Sequence, residues 1–308
     1  MKFLPLYTTV IYLLGAMTLS GQAPKNQSSN TSYQKVMNEQ YILYYPLKGV
    51  DTLLILFGGF PEDAESIERE FSILEVAKAN EIAVLYMNSN RKLWLETEDK
   101  VQLTLLLETV LDNYDLVPDQ IFFGGFSSGG NVTLLLADYL RSVNSVVAPA
   151  GLFVVDSPVD LLALYQVSQK NIGRNFSEVS VREAIWLTDL LERSLGDPEE
   201  GIAGFESQSP YTAETHDMHN LIHLDGLKIR LYAEPDIIWW KENRQNDPMD
   251  LNAYGLEKLA SQIQDELPRA TVQYITSENK GYRSNGERHP HSWSIVDKPD
   301  LIEWMLNQ

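Results

Sequence analysis

Ser127 lies in the pentapeptide GFSSG, between the apolar run QIFFG and the segment SGGNVTLLLADYL. The first run predicts a strand and the second a helix, so we expect Ser127 on a sharp strand-to-helix turn. A serine on such a turn can attack a carbonyl carbon if a neighbouring base takes its proton. Only Ser127 fits the frame G-x-S-x-G, because Ser128 would need glycine at position 126. The alternative is a structural or phosphate-binding glycine turn, but Asn131 stands near the position where a phosphate loop has lysine.

Two groups of histidines could supply a base or a metal ligand. His289 and His291 lie in the segment GERHPHSWS, in a predicted loop before the last helix. His216, His219 and His223 are spaced by three and four residues, which would place them on one helical face and allow zinc binding. The leucines and isoleucine among them favour instead a helix that packs against the core.

Three carboxylates stand at the ends of predicted strands. Glu234 and Asp236 follow the strand KIRLYA, which Pro235 ends, and Asp156 follows the strand GLFVV. In parallel α/β folds, ligands bind at the carboxyl edge of the sheet. Each of the three is therefore a candidate partner for a histidine.

The rest of the chain alternates between short β-rich runs and longer amphipathic segments. This alternation predicts an α/β fold with a mostly parallel central sheet and helices on both faces. The predicted strands are 41–45, 52–57, 82–87, 120–124, 151–155, 228–233 and 271–276, and the predicted helices are 64–80, 96–113, 128–141, 251–267 and 299–306. Residues 159–226 are mostly helical in period and too long for one crossover, so they predict a helical cap or lid over the carboxyl edge.

With these elements the chain resembles the α/β-hydrolase superfamily from position 36 to 308. The resemblance implies an exported serine hydrolase, of the esterase or acyl hydrolase type, that uses Ser127 as nucleophile. The segment Gly58-Gly59-Phe60-Pro61 is similar to the superfamily's H-G-x-P turn, with glycine in place of histidine. The resemblance therefore implies an oxyanion hole made by the backbone N–H groups of Phe60 and Ser128.

The same resemblance orders the candidates for the other two catalytic positions. It favours Asp236 as the acid, because this residue comes three positions after the small residue Ala233; Glu234 and Asp156 are alternatives. It favours His291 over His289 as the base, because the sequence Ser-Trp follows His291. The residues do not separate an esterase from a peptidase.

Aromatic and basic residues near the last loop are candidates for substrate binding. They are Trp239, Trp240, Tyr282, Arg283 and Trp293, together with the cations Lys280 and Arg288. The cations could attract a carboxylate or sulfate of the substrate, or they could pair with local acids. The aromatic rings could stack on a substrate, or they could belong to the core.

Composition limits the partners of the protein. The chain has 43 acidic and 24 basic residues and a net charge of -19, which argues against nucleic acid or an anionic membrane as a partner. It has no cysteine, so disulfides and thiolate metal sites are excluded. We expect a small-molecule or carbohydrate ester as substrate and no cofactor. The remaining alternatives are a non-catalytic ligand-binding relative and a metal-dependent hydrolase that uses His216, His219 and His223.

The first residues are typical of a secretory signal. Lys2 precedes an apolar stretch, and small residues near position 22 offer a cleavage site. Residues 1–22 are therefore predicted to be a signal peptide and residues 23–35 a flexible leader. The expected location is the bacterial periplasm or exterior, without stable membrane insertion after cleavage; an uncleaved membrane anchor is the alternative.

Overall fold

The computed structural model describes residues 32–88 and 92–307. The predicted signal peptide and residues 23–31 of the predicted leader lie outside these ranges. Within them, eight strands form one sheet: β1 Tyr33–Met37, β2 Tyr41–Pro46, β3 Thr52–Phe57, β4 Ala83–Met87, β5 Gln120–Phe126, β6 Gly151–Val155, β7 Lys228–Ala233 and β8 Thr271–Thr276.

The sheet is mostly parallel, which confirms the predicted fold class. Its strand order is β1-β2-β4-β3-β5-β6-β7-β8. Strands β1 and β2 are antiparallel to their neighbours, while β4, β3, β5, β6, β7 and β8 run parallel to one another. The carboxyl ends of β3, β5, β6 and β7 therefore lie at one edge of the sheet, where the loops that follow them can meet.

Helices cover both faces of the sheet. They are α1 Ala64–Phe71, α2 Leu74–Ala79, α3 Thr97–Asn113, α4 Ser128–Ser142, α5 Leu161–Arg174, α6 Glu178–Leu195, α7 Ala203–Gln208, α8 Ile237–Arg244, α9 Asn252–Glu266 and α10 Lys298–Leu306, with 3₁₀ turns at His219–Leu224, Pro248–Asp250 and Trp293–Ile295. No helix in the described ranges combines the length and the apolar character needed to cross a bilayer.

The central strand β3 shows why the sheet is covered on both faces. Its sequence TLLILF is buried at every position. Leu53, Ile55 and Phe57 pack into the core under α3, α4 and α9, whereas Leu54 and Leu56 pack into the core under α1, α2 and α10. Each fully buried leucine contributes about 1.5 to 3 kcal/mol to the free energy of folding, so the continuous apolar run holds β3, and with it the carboxyl edge of the sheet, in place.

Three elements differ from the sequence prediction. Tyr33, inside the predicted flexible leader, begins β1: it pairs with Pro46 and its hydroxyl donates to the Ile82 carbonyl oxygen at 3.2 Å. The helix predicted over 64–80 is two helices, because Ser72 adopts the left-handed conformation with φ 46°. Helix α8 was not predicted; it starts at Ile237, two residues after Pro235, which sequence reasoning took only as the end of a strand.

The long insertion between β6 and β7 contains the helices α5, α6 and α7. Helices α5, α6 and α7 pack around a core of their own, formed by Leu161, Leu162, Leu191 and Phe205 together with Leu93. Asp160 begins α5: its carboxylate accepts the Ala163 N–H at 2.9 Å as a helix cap. The insertion is thus a packed helical layer.

Candidate active site

Ser127 lies on the tight turn between β5 and α4. Its backbone is strained, with φ 52° and ψ -128°, and its N–H donates to the Val155 carbonyl oxygen at 2.9 Å. The flanking glycines are needed for close packing. A Cβ on Gly125 would lie 2.2 Å from the Gly129 carbonyl oxygen, and one on Gly129 would lie 2.2 Å from that of Phe57. A conformation that costs about 1 to 3 kcal/mol is typical of a functional residue, and here the glycines make it accessible.

His291 is held beside this turn by a carboxylate and a ring. Its Nδ1 lies 2.6 Å from Oδ2 of Asp156, and its imidazole packs on Phe126, the residue before Ser127, with ring centres 4.5 Å apart. Because Nδ1 faces a carboxylate acceptor, the proton of a neutral imidazole belongs on Nδ1. The Nε2 atom is then free to accept a proton.

The partner of His291 is Asp156, and this corrects the preference for Asp236. Asp156 directly follows β6; its side chain is 8% exposed, and its carbonyl oxygen accepts the Asn252 amide at 2.8 Å. Asp236 is occupied elsewhere. It caps α8 by accepting the Trp239 N–H at 3.0 Å, and it forms an ion pair with Arg288 at 2.7 Å.

Glu234, the second alternative acid, anchors the loop that carries the histidines. Its Oε2 accepts from the Ser277 hydroxyl at 2.7 Å and from the N–H groups of Lys280 and Gly281 at 2.9 and 3.0 Å. Its Oε1 lies 2.5 Å from Nη2 of Arg288 as an ion pair, without the angle of a hydrogen bond. Because the side chain is 1% exposed, this set of contacts fixes the loop from inside the protein.

The loop after β3 meets the start of α4. The Phe60 N–H donates to Oγ of Ser128 at 2.9 Å, so the two residues predicted to form an oxyanion hole are in contact. Glu62 braces this loop: its Oε2 accepts the Gly59 N–H at 2.9 Å and the indole N–H of Trp293 at 3.2 Å. Burial raises the pKa of Glu62, and these hydrogen bonds oppose the rise. Sequence reasoning missed Glu62, which carries no motif of its own.

A cavity of about 290 Å³ opens at this edge of the sheet and is lined by Ser127, Asp156 and His291. Phe60 and Ser128 line it as well. Helices α5 and α6 of the insertion form one wall.

Trp186 of α6 closes this wall against the loop after β3. Its ring stacks on Phe60 with ring centres 5.0 Å apart. This contact joins the insertion to the loop that holds the predicted oxyanion donor. No motif marks Trp186, so sequence reasoning missed it.

The predicted substrate-binding residues divide between the cavity and other places. Arg283 lines the cavity, and so does Trp240, which was weighed with them. Trp293 is 1% exposed and stacks on Phe71 with ring centres 4.5 Å apart, so it belongs to the core. Tyr282 is exposed beside the Arg288 guanidinium, and Trp239 packs on His289; neither lines the cavity.

His289 lies beside His291 but has a different environment. It is 8% exposed, lines the cavity and packs between Trp239 and Trp240, and its Nδ1 has no hydrogen-bond partner in the described residues. Burial lowers the pKa of His289 to about 3, and the charges of Arg283 and Arg244 contribute. His289 is therefore neutral at physiological pH.

This neutral histidine should make stability fall in acid. An unfolded histidine titrates near pH 6.5, so below that pH the unfolded state binds a proton that native His289 refuses down to about pH 3. Between pH 7 and pH 5 this residue should cost about 1 to 2 kcal/mol of unfolding free energy. We expect His289→Gln to lose that much less stability than wild type, measured by urea unfolding at both pH values.

The comparison uses wild type and His289→Gln under the same conditions. The other titrating groups are common to both proteins, so the difference between them reports on His289. An equal loss of stability in wild type and His289→Gln would contradict the neutral state of His289.

The histidines His216, His219 and His223 do not meet. His219 Nδ1 lies 2.5 Å from Asp217 Oδ2, and His223 Nδ1 lies 3.0 Å from Asp138 Oδ2. His216 precedes the 3₁₀ turn in a left-handed conformation, and its ring faces the Tyr211 hydroxyl at 3.4 Å. The expected helical face is absent because the helix begins only at His219. Within residues 32–88 and 92–307, no group of three or more histidine, cysteine, aspartate or glutamate side chains could hold a metal ion.

Solved structures similar to this chain include proteins from a fungus and from bacteria. Carboxyl esterase 2 from Tuber melanosporum is 14% identical, with a TM-score of 0.53 over 92% of this chain and 86% of the esterase. Fluorophosphonate-binding serine hydrolase F from Staphylococcus aureus is 15% identical, with a TM-score of 0.51 over 90% of this chain and 99% of that one. An S-formylglutathione hydrolase from Agrobacterium tumefaciens is 11% identical, with a TM-score of 0.52 over 89% and 93% of the two chains.

No protein-family model matches the chain, and no curated protein matches it. At identities of 11 to 15%, the likeness to the solved structures concerns the fold. What the site does must therefore be argued from its own residues.

Proposed function

We propose, from the premise that this chain has the α/β-hydrolase fold, that it is a serine hydrolase that cleaves ester bonds through an acyl-enzyme. The observation that carries the proposal is the 2.6 Å contact between His291 and Asp156 in the cavity that Ser127 also lines. A nucleophile, a base and an acid that orients the base are the parts that acyl transfer requires. The similar solved structures include esterases, which agrees with this choice.

In the proposed reaction, Oγ of Ser127 attacks the carbonyl carbon of the ester while Nε2 of His291 takes the hydroxyl proton. Asp156 holds the Nδ1 proton and stabilises the imidazolium. His291 then gives the proton to the departing alkoxide as the C–O bond breaks. A water molecule repeats the sequence on the acyl-enzyme, releases the acid and restores Ser127.

The oxyanion would form beside the start of α4. Ser128 is the first residue of this helix, so its N–H has no acceptor within the helix and lies at the positive end of the helix dipole. The second proposed donor is the Phe60 N–H, which in the structure donates to Oγ of Ser128 at 2.9 Å; the oxyanion would take the place of this acceptor. Loss of one such donor typically costs about 3 kcal/mol of transition-state stabilisation.

The helical insertion is proposed to act as a lid. Its helix α6 contributes Trp186, which stacks on Phe60 and so covers the loop of the proposed oxyanion hole. A cover at this position excludes water from the developing negative charge and strengthens each hydrogen bond to it.

We also propose that the protein is exported, on the basis of the charged and apolar pattern of residues 1–22. Amino-terminal sequencing of the protein from its native host would locate the cleavage. An intact Met1 in the mature protein would overturn this proposal.

The function is tested by labelling the folded protein with a fluorophosphonate probe and mapping the modified peptide by mass spectrometry. We expect one modified residue, Ser127, because only a serine with an adjacent base attacks the probe rapidly. The control is the same protein unfolded in urea, which should not react. A folded protein without label, or with label on other serines, would overturn the proposal and favour the non-catalytic binding relative.

A further inference from the structure

Not all charged residues around the cavity have an ion-pair partner. Six charged residues other than histidine line it: Asp156, Glu183, Glu234, Arg244, Asp250 and Arg283. Three of the four carboxylates have a cationic or histidine partner: Asp156 contacts His291, Glu234 contacts Arg288, and Asp250 contacts Lys170 and Arg174 at 2.8 and 2.6 Å.

Two arginines and one acid of the cavity lining are without an ion-pair partner. Among the described residues, Arg244 and Arg283 form no ion pair with a carboxylate, and Glu183 forms none with a cation. In a chain with a net charge of -19, two arginines without an ion-pair partner at the candidate site are unexpected. Unpaired guanidinium groups beside a cavity attract anions, and a planar fork of N–H donors suits a carboxylate.

Both arginines are held by structured elements. Arg244 is half-buried in the last turn of α8. Arg283 lies in a loop that is tied to α1 by two hydrogen bonds from Ser284 to Glu70, at 2.8 and 2.5 Å. His289 lines the same cavity as both arginines, and Arg283 is exposed to solvent.

The remaining lining indicates what the anion would be attached to. Leu164, Val167 and Leu187 of the insertion line the cavity beside the rings of Trp186 and Trp240. His289, neutral and with an unpartnered Nδ1, packs on Trp240 and lines the same cavity as the arginines. An apolar segment of a substrate would fit this wall, and its charged end would reach the arginines.

We propose that the cavity selects esters that also carry a carboxylate group, bound by Arg244 and Arg283. This inference rests on the proposed serine hydrolase function. Glu183 and Asp156 also line the cavity, and their negative charges would oppose a dianionic phosphate more strongly than a monoanionic carboxylate. The carboxylate is separate from the ester bond that is cleaved, and it contributes to the binding of the substrate.

The test compares matched acids and methyl esters. On the acyl side, the pair is 4-nitrophenyl hydrogen glutarate and its methyl ester, and on the leaving-group side it is 4-acetoxybenzoic acid and its methyl ester. The members of each pair share the reacting bond and differ by one negative charge. The measured quantity is the ratio of kcat/KM for the acid to that for the methyl ester.

We expect this ratio to exceed about ten in at least one pair for the wild type, because charge-assisted hydrogen bonds are roughly twice as strong as neutral ones. In the double variant Arg244→Gln with Arg283→Gln, the ratio should fall about 10- to 100-fold, mainly through KM for the acid. General damage to the enzyme would slow both members of a pair and leave the ratio unchanged.

The matched control is Arg182→Gln, an exposed arginine of α6 that does not line the cavity and pairs with Glu178 at 3.5 Å. Its ratio should equal that of the wild type. A wild-type ratio near or below one in both pairs, or a ratio that the double variant leaves unchanged, overturns the carboxylate site while Ser127-dependent hydrolysis still supports the proposed function. If no ester is hydrolysed and Ser127 does not react with the fluorophosphonate probe, the proposed function and this inference are both overturned.

Discussion

Ser127→Ala should reduce kcat for a 4-nitrophenyl ester by about 10⁶-fold, with little change in stability. The Ser127 hydroxyl oxygen would form the bond of the acyl-enzyme. Alanine has no hydroxyl, so His291, which contacts Asp156 at 2.6 Å, would have no nucleophile to activate at position 127. Alanine keeps the backbone strain of the turn, because it has a Cβ like serine, so the unfolding midpoint should stay near that of the wild type. The measurement is the initial rate over background hydrolysis, with urea unfolding of both proteins.

The matched control is Ser142→Ala, at the other end of the same helix. Ser142 is exposed, and its hydroxyl donates to the Tyr139 carbonyl oxygen at 2.7 Å, so the variant should keep the wild-type rate. A Ser127→Ala protein that folds and still hydrolyses the ester at more than about a hundredth of the wild-type rate would show that another group attacks the ester.

Most of the sheet could be predicted because its strands are buried on both faces. Runs such as TLLILF and GLFVV admit few other interpretations, and the observed β3 and β6 have the predicted bounds. The turn at Ser127 could also be predicted from the sequence. Its glycines at 125 and 129 are required, because a Cβ at either position would lie 2.2 Å from a backbone oxygen. In these segments local pattern and tertiary packing favour the same structure.

Which carboxylate pairs with His291 could not be predicted in the same way. Asp156, Glu234 and Asp236 all stand at the ends of neighbouring strands, so all three start near the same edge of the sheet. Which of them meets His291 depends on the path of the loop after β8, and Glu234 fixes that path by accepting three hydrogen bonds from it. Such a choice depends on contacts distant in sequence, which no local pattern records.

The positions of the aromatic residues could not be predicted for a related reason. Trp293 follows the histidine loop and was a candidate for substrate binding, with the core as the alternative; its ring fills the core against Phe71, and its indole N–H donates to Glu62. Trp186 lies in a helix that was predicted only as part of a lid, yet it stacks on Phe60. Hydrophobic periodicity shows that a side chain is covered, but it does not show by what.

The pairing of His291 with Asp156 is tested by the same substitution in two aspartates, Asp156 and Asp236. Asp156→Asn should reduce kcat about 10⁴-fold, because an amide can donate to Nδ1 and so stabilise the imidazole tautomer that leaves no free acceptor at Nε2. Asparagine is nearly isosteric and tolerates the positive φ of 45° at this position, so the fold should be kept.

Asp236→Asn is the matched control, since it makes the same change in the residue that sequence similarity favoured. Asparagine still caps α8, and Arg288 keeps its ion pair with Glu234, so the rate should change by less than about fivefold. The two variants differ from the wild type by the same atoms, and the comparison therefore separates the role of a carboxylate at His291 from general loss of charge at the site. A loss in Asp236→Asn as large as that in Asp156→Asn would mean that the loop moves during the reaction and that the histidine exchanges one carboxylate for the other.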